Sequence, residues 1–157
     1  MNIKLFVMDV DGTLTDGKIY MGQQGEFFKA FDIKDGYGIY NILPLKSIIP
    51  IILTNRKSQI VENRAKELGI IDIYQGVEKK SNKLQEICSE KNCSLSETAY
   101  IGDDLNDLDC MRLCGVVGCP ADAVSQVKEI ADYISTKNGG EGAVREFIEW
   151  MVNELER

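Results

Sequence analysis

The stretch that decides the fold is Leu5-Phe6-Val7-Met8-Asp9-Val10-Asp11-Gly12-Thr13. The nearly continuous apolar run over residues 5–10 is typical of a strand that is buried on both faces of a parallel sheet. The run ends at Asp11 and Gly12, a pair that favours a sharp turn. We therefore predict a central buried strand that carries carboxylates at its C-terminal end.

Similar apolar runs alternate with segments of helical period along the rest of the chain. Further strands are predicted at residues 48–53, 71–74, 98–101, 115–117 and 133–134. Helices are predicted at residues 57–68, 81–91, 105–113, 123–130 and 142–156. This alternation predicts an α/β fold, a Rossmann-like three-layer sandwich with a central parallel sheet. One stretch departs from it, because residues 18–20 and 26–31 flank a glycine-containing turn and predict a small β-hairpin flap.

The composition limits the classes of function. A length of 157 residues suits a single domain over residues 1–157, and the net charge of −7 argues against nucleic acid as a partner. The chain has no histidine, which excludes Ser-His-Asp and Cys-His catalysis. No apolar stretch approaches the length of a membrane span. The five cysteines form no C-x-x-C pair, so we expect reduced thiols in a cytoplasmic protein.

Polar residues follow the three clearest strands. Asp9 and Asp11 end the first strand, Thr54-Asn55-Arg56 follows the second, and Gly102-Asp103-Asp104 follows the third. Ligands of open α/β sheets bind at this edge. Carboxylates that converge there repel one another unless a divalent cation binds, and hard oxygen ligands suit Mg²⁺. We therefore expect Mg²⁺ as the cofactor.

The spacing of Asp9 and Asp11 indicates a division of roles. In an extended segment, residues two apart point the same way, so both carboxylates can face one phosphoryl group. One can attack as a nucleophile while the other handles the proton of the leaving group. Each motif alone is a common turn, but the order of the motifs at the ends of successive strands favours a catalytic site over a set of unrelated turns.

Residues 9–107 resemble the haloacid dehalogenase superfamily. The first motif is Asp9-Val10-Asp11-Gly12-Thr13-Leu14-Thr15, the second is Thr54, the third is Lys80 and the fourth is Gly102–Asp107. The resemblance implies a phosphatase with Asp9 as nucleophile and Asp11 as general acid/base, while Thr54 and Lys80 bind the phosphoryl group. It implies Asp9, Asp11 and Asp103 as metal ligands, with Asp11 contributing its backbone carbonyl. Asp104 and Asp107 would support the site, and Asp107 would fix Lys80 or a metal-bound water.

The spacing between these motifs leaves no room for a cap domain. The chain is most similar to the capless 3-deoxy-D-manno-octulosonate 8-phosphate phosphatase subfamily, through the stretches 31–38, 54–57, 74–76 and 139–146. This resemblance implies a phosphorylated sugar acid as substrate, a homotetramer and a place in lipopolysaccharide biosynthesis. It also implies that the glycine-rich loop 137–142 reaches a neighbouring subunit. The implied substrate-binding residues are Asp11, Asp32, Ile33, Lys34, Asp35, Gly36, Asn55, Arg56, Arg64 and Lys80.

Two features differ from the usual pattern of that subfamily. Tyr40 stands where an arginine is common, and Thr54-Asn55-Arg56 replaces Thr-Gly-Arg. A nine-carbon sialic-acid-type 9-phosphate therefore stays an alternative substrate. A non-catalytic oligomerisation domain, as found on cytidylyltransferases, is a further alternative. A phosphoaspartate receiver is disfavoured, because it places its acidic pair after the first strand and its phosphoacceptor after the third. Here the Asp-x-Asp pair with Gly-Thr follows the first strand, and Gly-Asp-Asp comes late in the chain.

Overall fold

The computed structural model describes residues 1–157 and centres on a six-stranded sheet. The strands are β1 (Leu5–Met8), β4 (Ile49–Leu53), β5 (Asp72–Tyr74), β6 (Thr98–Ile101), β7 (Val116–Cys119) and β8 (Tyr133–Ile134). Their order in the sheet is β5-β4-β1-β6-β7-β8, and every neighbouring pair is parallel. The strand over residues 5–10 thus lies at the centre, as its apolar character predicts.

Helices cover both faces of the sheet. They are α1 (Ile33–Tyr37), α2 (Leu43–Leu45), α3 (Gln59–Glu67), α4 (Lys80–Glu90), α5 (Leu108–Leu113), α6 (Ser125–Ile130) and α7 (Ala143–Leu155). None of these helices combines the length and the apolar character that a membrane crossing requires. The predicted α/β three-layer architecture is confirmed.

Alternation along β1 divides the apolar interior into two layers. Phe6 and Met8 pack with side chains of α3 and α7, whereas Leu5 and Val7 pack with side chains of α4, α5 and α6. All four β1 side chains are fully buried. Because successive side chains of a strand point to opposite faces, an uninterrupted apolar strand requires cover on both.

The segment between β1 and β4 carries the hairpin and no separate cap. Its strands are β2 (Tyr20–Gly22) and β3 (Gly25–Phe28), a tighter hairpin than residues 18–20 and 26–31 predict. Helix α1 continues through a π-helical turn, Gly38–Ile42, into α2. The π-helical turn begins at Gly38, two residues after Gly36.

The loop 137–142 packs against its own chain through two of its glycines. The amide of Gly140 donates to the carbonyl of Thr13 at 3.2 Å, and the amide of Gly139 donates to Asp122 Oδ1 at 3.0 Å. A Cβ on Gly139 would lie 2.0 Å from the carbonyl oxygen of Gly12. The glycines therefore serve close packing beneath the turn that follows β1.

Candidate active site

Three strand ends meet at one edge of the sheet. Asp9 follows β1, Thr54 follows β4, and Asp103 follows β6 after Gly102. Gly12 has φ +91°, and a Cβ there would lie 2.0 Å from Asp103 Oδ2. Only glycine therefore lets the turn after β1 come this close to the turn after β6.

Asp9 belongs to a buried ionic cluster. Its Oδ1 accepts a hydrogen bond from Lys80 Nζ at 2.8 Å, and Lys80 also donates to Asp107 Oδ1 at 3.0 Å. The hydroxyl of Tyr100 donates to the same Asp107 oxygen at 2.6 Å. Lys80 begins α4, so its charge reaches the sheet edge from the layer formed by α4, α5 and α6.

Asp107 also shapes the turn that carries Asp103. Its Oδ2 accepts from the amides of Asp103 at 3.0 Å and Asp104 at 3.2 Å. The side chain of Asp104 accepts from the amide of Leu105 and caps the short 3₁₀ turn that follows. The two predicted supporting residues therefore act locally, by fixing the turn and by holding Lys80.

The acidic donor set fits a divalent cation. One carboxylate oxygen from each of Asp9, Asp103 and Asp107 lies within 4.8 Å of the others. Burial and the charge of Asp107 raise the pKa of Asp9, and burial and the charge of Asp9 raise the pKa of Asp103. A bound cation offsets this repulsion, and an all-oxygen set is what Mg²⁺ prefers.

Asp11, the third ligand implied by the resemblance, has its carboxylate elsewhere. Its Oδ1 accepts from Lys29 Nζ at 2.6 Å, and its Oδ2 lies 3.8 Å from Arg56 Nη1. The third carboxylate of the acidic cluster is that of Asp107, whose oxygens accept from Lys80, Tyr100 and two backbone amides. A role for Asp11 through its backbone carbonyl is unaffected by this arrangement.

A polar pocket of about 220 Å³ opens above these strand ends. Its lining contains Asp9, Asp11, Gly17, Thr54, Asn55, Arg56, Asp103, Asp104 and Asn106. Asn55 is held in place by the carbonyl of Val77 and by the side chain of Asn106. Most of the predicted catalytic and metal-binding residues thus meet at one site.

The remaining predicted substrate-binding residues do not line this pocket. Asp32, Asp35 and Arg64 line a separate, mostly apolar cavity, Ile33 and Lys34 are exposed, and Gly36 is buried against the guanidinium of Arg64. Arg64 donates to Glu67 at 3.1 Å, and its guanidinium lies 5.6 Å from the ring centre of Phe31. The structure therefore separates Arg64 from Arg56, which faces the pocket.

The side chain of Asp35 turns away from the pocket altogether. Its Oδ1 accepts from the amide of Arg145 at 2.9 Å, at the start of α7. Burial raises the pKa of Asp35 to about 6, although backbone amides of Arg145, Val144 and Gly142 oppose the rise. This carboxylate consequently joins α1 to the N-terminus of α7.

Sequence reasoning missed several residues that the fold brings to the site. Lys29 and Glu26 reach it from the hairpin, Tyr100 from the interior of β6, and Asn106 from the turn after it. The hairpin residues leave a weak signal, because Glu26 and Lys29 are the charged residues of an otherwise apolar segment, residues 25–31.

Comparisons with known proteins identify the family. Residues 44–148 match the model of the haloacid dehalogenase-like hydrolases. The chain is 43% identical over 145 residues to the 3-deoxy-D-manno-octulosonate 8-phosphate phosphatase of Yersinia pestis, covering 92% of this chain and 77% of that protein. The chain belongs to the haloacid dehalogenase-like hydrolases.

Solved structures of this family place the chain in its capless phosphatase subfamily. The structure of the Yersinia pestis phosphatase matches with a TM-score of 0.94 at 41% identity, covering 99% of this chain and 83% of that one. The phosphatase of Moraxella catarrhalis, solved with a magnesium ion, a phosphate ion and a KDO molecule, matches with a TM-score of 0.92 at 44% identity. That match covers 96% of this chain and 86% of the other. The predicted subfamily and the predicted class of enzyme are confirmed.

Proposed function

We propose that this chain is a Mg²⁺-dependent phosphatase that hydrolyses 3-deoxy-D-manno-octulosonate 8-phosphate through an aspartyl-phosphate on Asp9. The observation that carries the proposal is the environment of Asp9, a carboxylate that borders an open polar pocket on one side and contacts buried Lys80 on the other. The names of the relatives from Yersinia pestis and Moraxella catarrhalis support this choice of substrate.

The proposed reaction has two steps. Asp9 Oδ attacks the phosphorus, a bond forms between them, and the ester bond from phosphorus to the sugar oxygen breaks. Asp11, protonated at the start, gives its proton to the departing sugar oxygen. A water molecule then attacks the phosphorus of the aspartyl-phosphate, the Asp9–phosphorus bond breaks, and Asp11 takes a proton from that water. This second step releases inorganic phosphate and restores the Asp9 carboxylate and the protonated Asp11.

The other residues bind and neutralise charge in this proposal. Thr54, buried beside the pocket, donates to a phosphate oxygen, and Lys80 offsets the negative charge shared by Asp9 and the phosphoryl group. Asp103 holds the metal with Asp9, and Asp107 keeps Lys80 in place. Bound Mg²⁺ supplies positive charge that stabilises the phosphoryl oxygens.

Recognition of the sugar acid is assigned to residues at the rim of the pocket. Arg56 and Asn55 line it directly, and a guanidinium suits a carboxylate. We propose that the segment 32–36 and Arg64, which lie around the separate, mostly apolar cavity, touch the far end of the substrate.

We further propose that residues 1–157 act as one domain within a homotetramer in the cytoplasm. The hairpin supports self-association, because Phe27 and Met21 are exposed at its surface by 73% and 64%. Ile33 and Ile71 are also exposed, by 82% and 90%. Exposed apolar surface marks interaction sites, and a capless pocket gains walls from neighbouring copies. Light scattering of the purified chain tests the assembly.

The experiment that tests the function is a phosphate-release screen with Mg²⁺. It compares the octulosonate 8-phosphate, nine-carbon 2-keto acid 9-phosphates and a small aryl phosphate. We expect the highest kcat/KM for the eight-carbon substrate. A higher value for a nine-carbon substrate would replace the substrate assignment, and no release from any ester would favour a non-catalytic oligomerisation domain.

A further inference from the structure

A lysine of the hairpin reaches into the proposed active site. The side chain of Lys29 is 2% exposed, and its Nζ lies 2.6 Å from Asp11 Oδ1 and 2.9 Å from Glu26 Oε2. Burying an ammonium group is costly unless anions accompany it, and here two carboxylates do. One of them is the carboxylate that handles protons in the proposed reaction.

Glu26 connects the same hairpin to the turn after β4. Its Oε1 accepts from the hydroxyl of Ser58 at 2.6 Å, and its Oε2 lies 3.2 Å from Arg56 Nη1. Burial by itself would raise the pKa of Glu26, but hydrogen bonds from Ser58 and Lys29 and the charges of Lys29 and Arg56 lower it. Glu26 is therefore an anion that holds Lys29 and Arg56 side by side.

These contacts matter because the hairpin stands apart from the main sheet. Strands β2 and β3 form a two-stranded sheet of their own, so no backbone ladder joins them to β1 or β4. An isolated hairpin is marginally stable and depends on what it contacts. Lys29 and Glu26 supply such contacts at the pocket.

We propose that Lys29 is a positioning residue that fixes the carboxylate of Asp11 for proton transfer, and that Glu26 holds Lys29 in that position. The inference rests on the proposed function, which makes Asp11 the proton carrier. Lys29 occupies Oδ1 of Asp11, which leaves Oδ2 on the side of Arg56 and the pocket to serve the leaving group. Geometric errors near 1 Å in a reacting group can cost about 100-fold in rate.

A double-mutant cycle tests the inference. Lys29→Met keeps the aliphatic chain and removes the ammonium group, and we expect kcat for the sugar acid phosphate to fall roughly 10- to 100-fold with KM changed less than about threefold. In an Asp11→Asn background, the same change should alter kcat less than about twofold, because Lys29 acts through Asp11. The dissociation constant of Mg²⁺, measured by calorimetry, should stay within about twofold in each variant.

Lys18→Met is the matched control, since Lys18 is an exposed lysine at the start of the same hairpin region. If Lys29→Met does not fold, Glu26→Gln takes its place in the cycle, and we expect a smaller loss of kcat for it.

An unchanged kcat in the Lys29→Met variant of an otherwise active enzyme overturns the inference and leaves the proposed function intact. A loss of equal size with and without the Asp11 carboxylate overturns it as well, since that result means structural support only. A wild-type chain without phosphatase activity overturns both proposals.

Discussion

Lys80 Nζ lies 2.8 Å from Asp9 Oδ1, and both side chains are almost completely buried. Burial alone would lower the pKa of Lys80, but the charges of Asp9 and Asp107 raise it above its ordinary value. The lysine is therefore a fixed cation beside the carboxylate. This arrangement suits a nucleophile that must approach a phosphoryl group bearing negative charge of its own.

The first prediction concerns that nucleophile. Asp9→Asn keeps the size of the side chain and removes the charge needed for attack, so we expect kcat to fall by at least about 10³-fold with the fold retained. Initial rates on an aryl phosphate and circular dichroism measure the two effects. Asp109→Asn, at an exposed carboxylate of α5, serves as the control. Near-normal turnover in the purified Asp9 variant contradicts the assignment.

The second prediction concerns the metal. Chelation should abolish activity, and added Mg²⁺ should restore it. Ca²⁺ should inhibit, because its longer and looser coordination does not support the same geometry. Mg²⁺ should also raise the melting temperature of the wild-type chain but not that of Asp103→Asn, since Asp103 belongs to the acidic cluster. Full activity in excess chelator rules out a metal-dependent mechanism.

The third prediction separates the two arginines. Arg56 faces the pocket, so Arg56→Ala should lower kcat/KM for the sugar acid phosphate roughly 10- to 100-fold and that for a small aryl phosphate much less. Arg64 rests on Phe31 and pairs with Glu67, so Arg64→Ala should act more weakly and chiefly through KM. Steady-state kinetics with both esters measure this difference. Equal losses on the two esters would mean that the arginines serve general phosphate binding or stability.

The fourth prediction is a pH dependence of stability that originates at Asp35. Burial raises the pKa of its carboxyl from 3.8 to about 6, and the charge of Asp32 adds to the rise. Between these values the folded chain binds more protons than the unfolded chain, so stability falls as pH increases from about 4 to about 6. Asp35→Asn keeps an acceptor for the amide of Arg145 and removes the titration.

Urea unfolding at several pH values measures this effect as a difference between two chains. The free energy of unfolding of the wild type minus that of Asp35→Asn should decrease by up to about 3 kcal/mol between pH 4 and pH 7, at about 1.4 kcal/mol for each unit of pKa. Contributions from other carboxylates cancel in the difference. A difference that is constant with pH contradicts the prediction.

The fifth prediction concerns the close contact beneath the active-site turn. A methyl group on Gly139 would meet the carbonyl of Gly12 at 2.0 Å, so Gly139→Ala should destabilise the chain by about 1–3 kcal/mol and lower kcat by displacing the turn after β1. Gly22→Ala is the control, because its nearest neighbour would lie at 3.7 Å. Thermal unfolding and kinetics check both variants. If both variants have the same stability and the same kcat, the loop 137–142 can shift to accept the methyl group without destabilising the chain.

The sequence by itself determined the central strand, the layers and the edge that carries chemistry. An apolar run that ends at Asp9 and Asp11 can be satisfied only in a covered parallel strand with its polar residues at the C-terminal end. Strand–helix alternation then placed Thr54 and Asp103 at the ends of further strands, whereas the role of Lys80 was implied by the resemblance to the family. These features are local, because each depends on residues that adjoin one strand end.

The tertiary structure alone decided which side chains meet across distant segments. The contact between Lys29 and Asp11, the turn of Asp35 towards α7, and the packing of Gly139 under Gly12 join residues that no periodicity relates. Arg64 is a further example. The sequence predicts that it lies on α3, but not that its guanidinium pairs with Glu67 instead of entering the polar pocket. Long charged side chains have several rotamers of similar energy, and only the surrounding charges and the space left by packing select one of them.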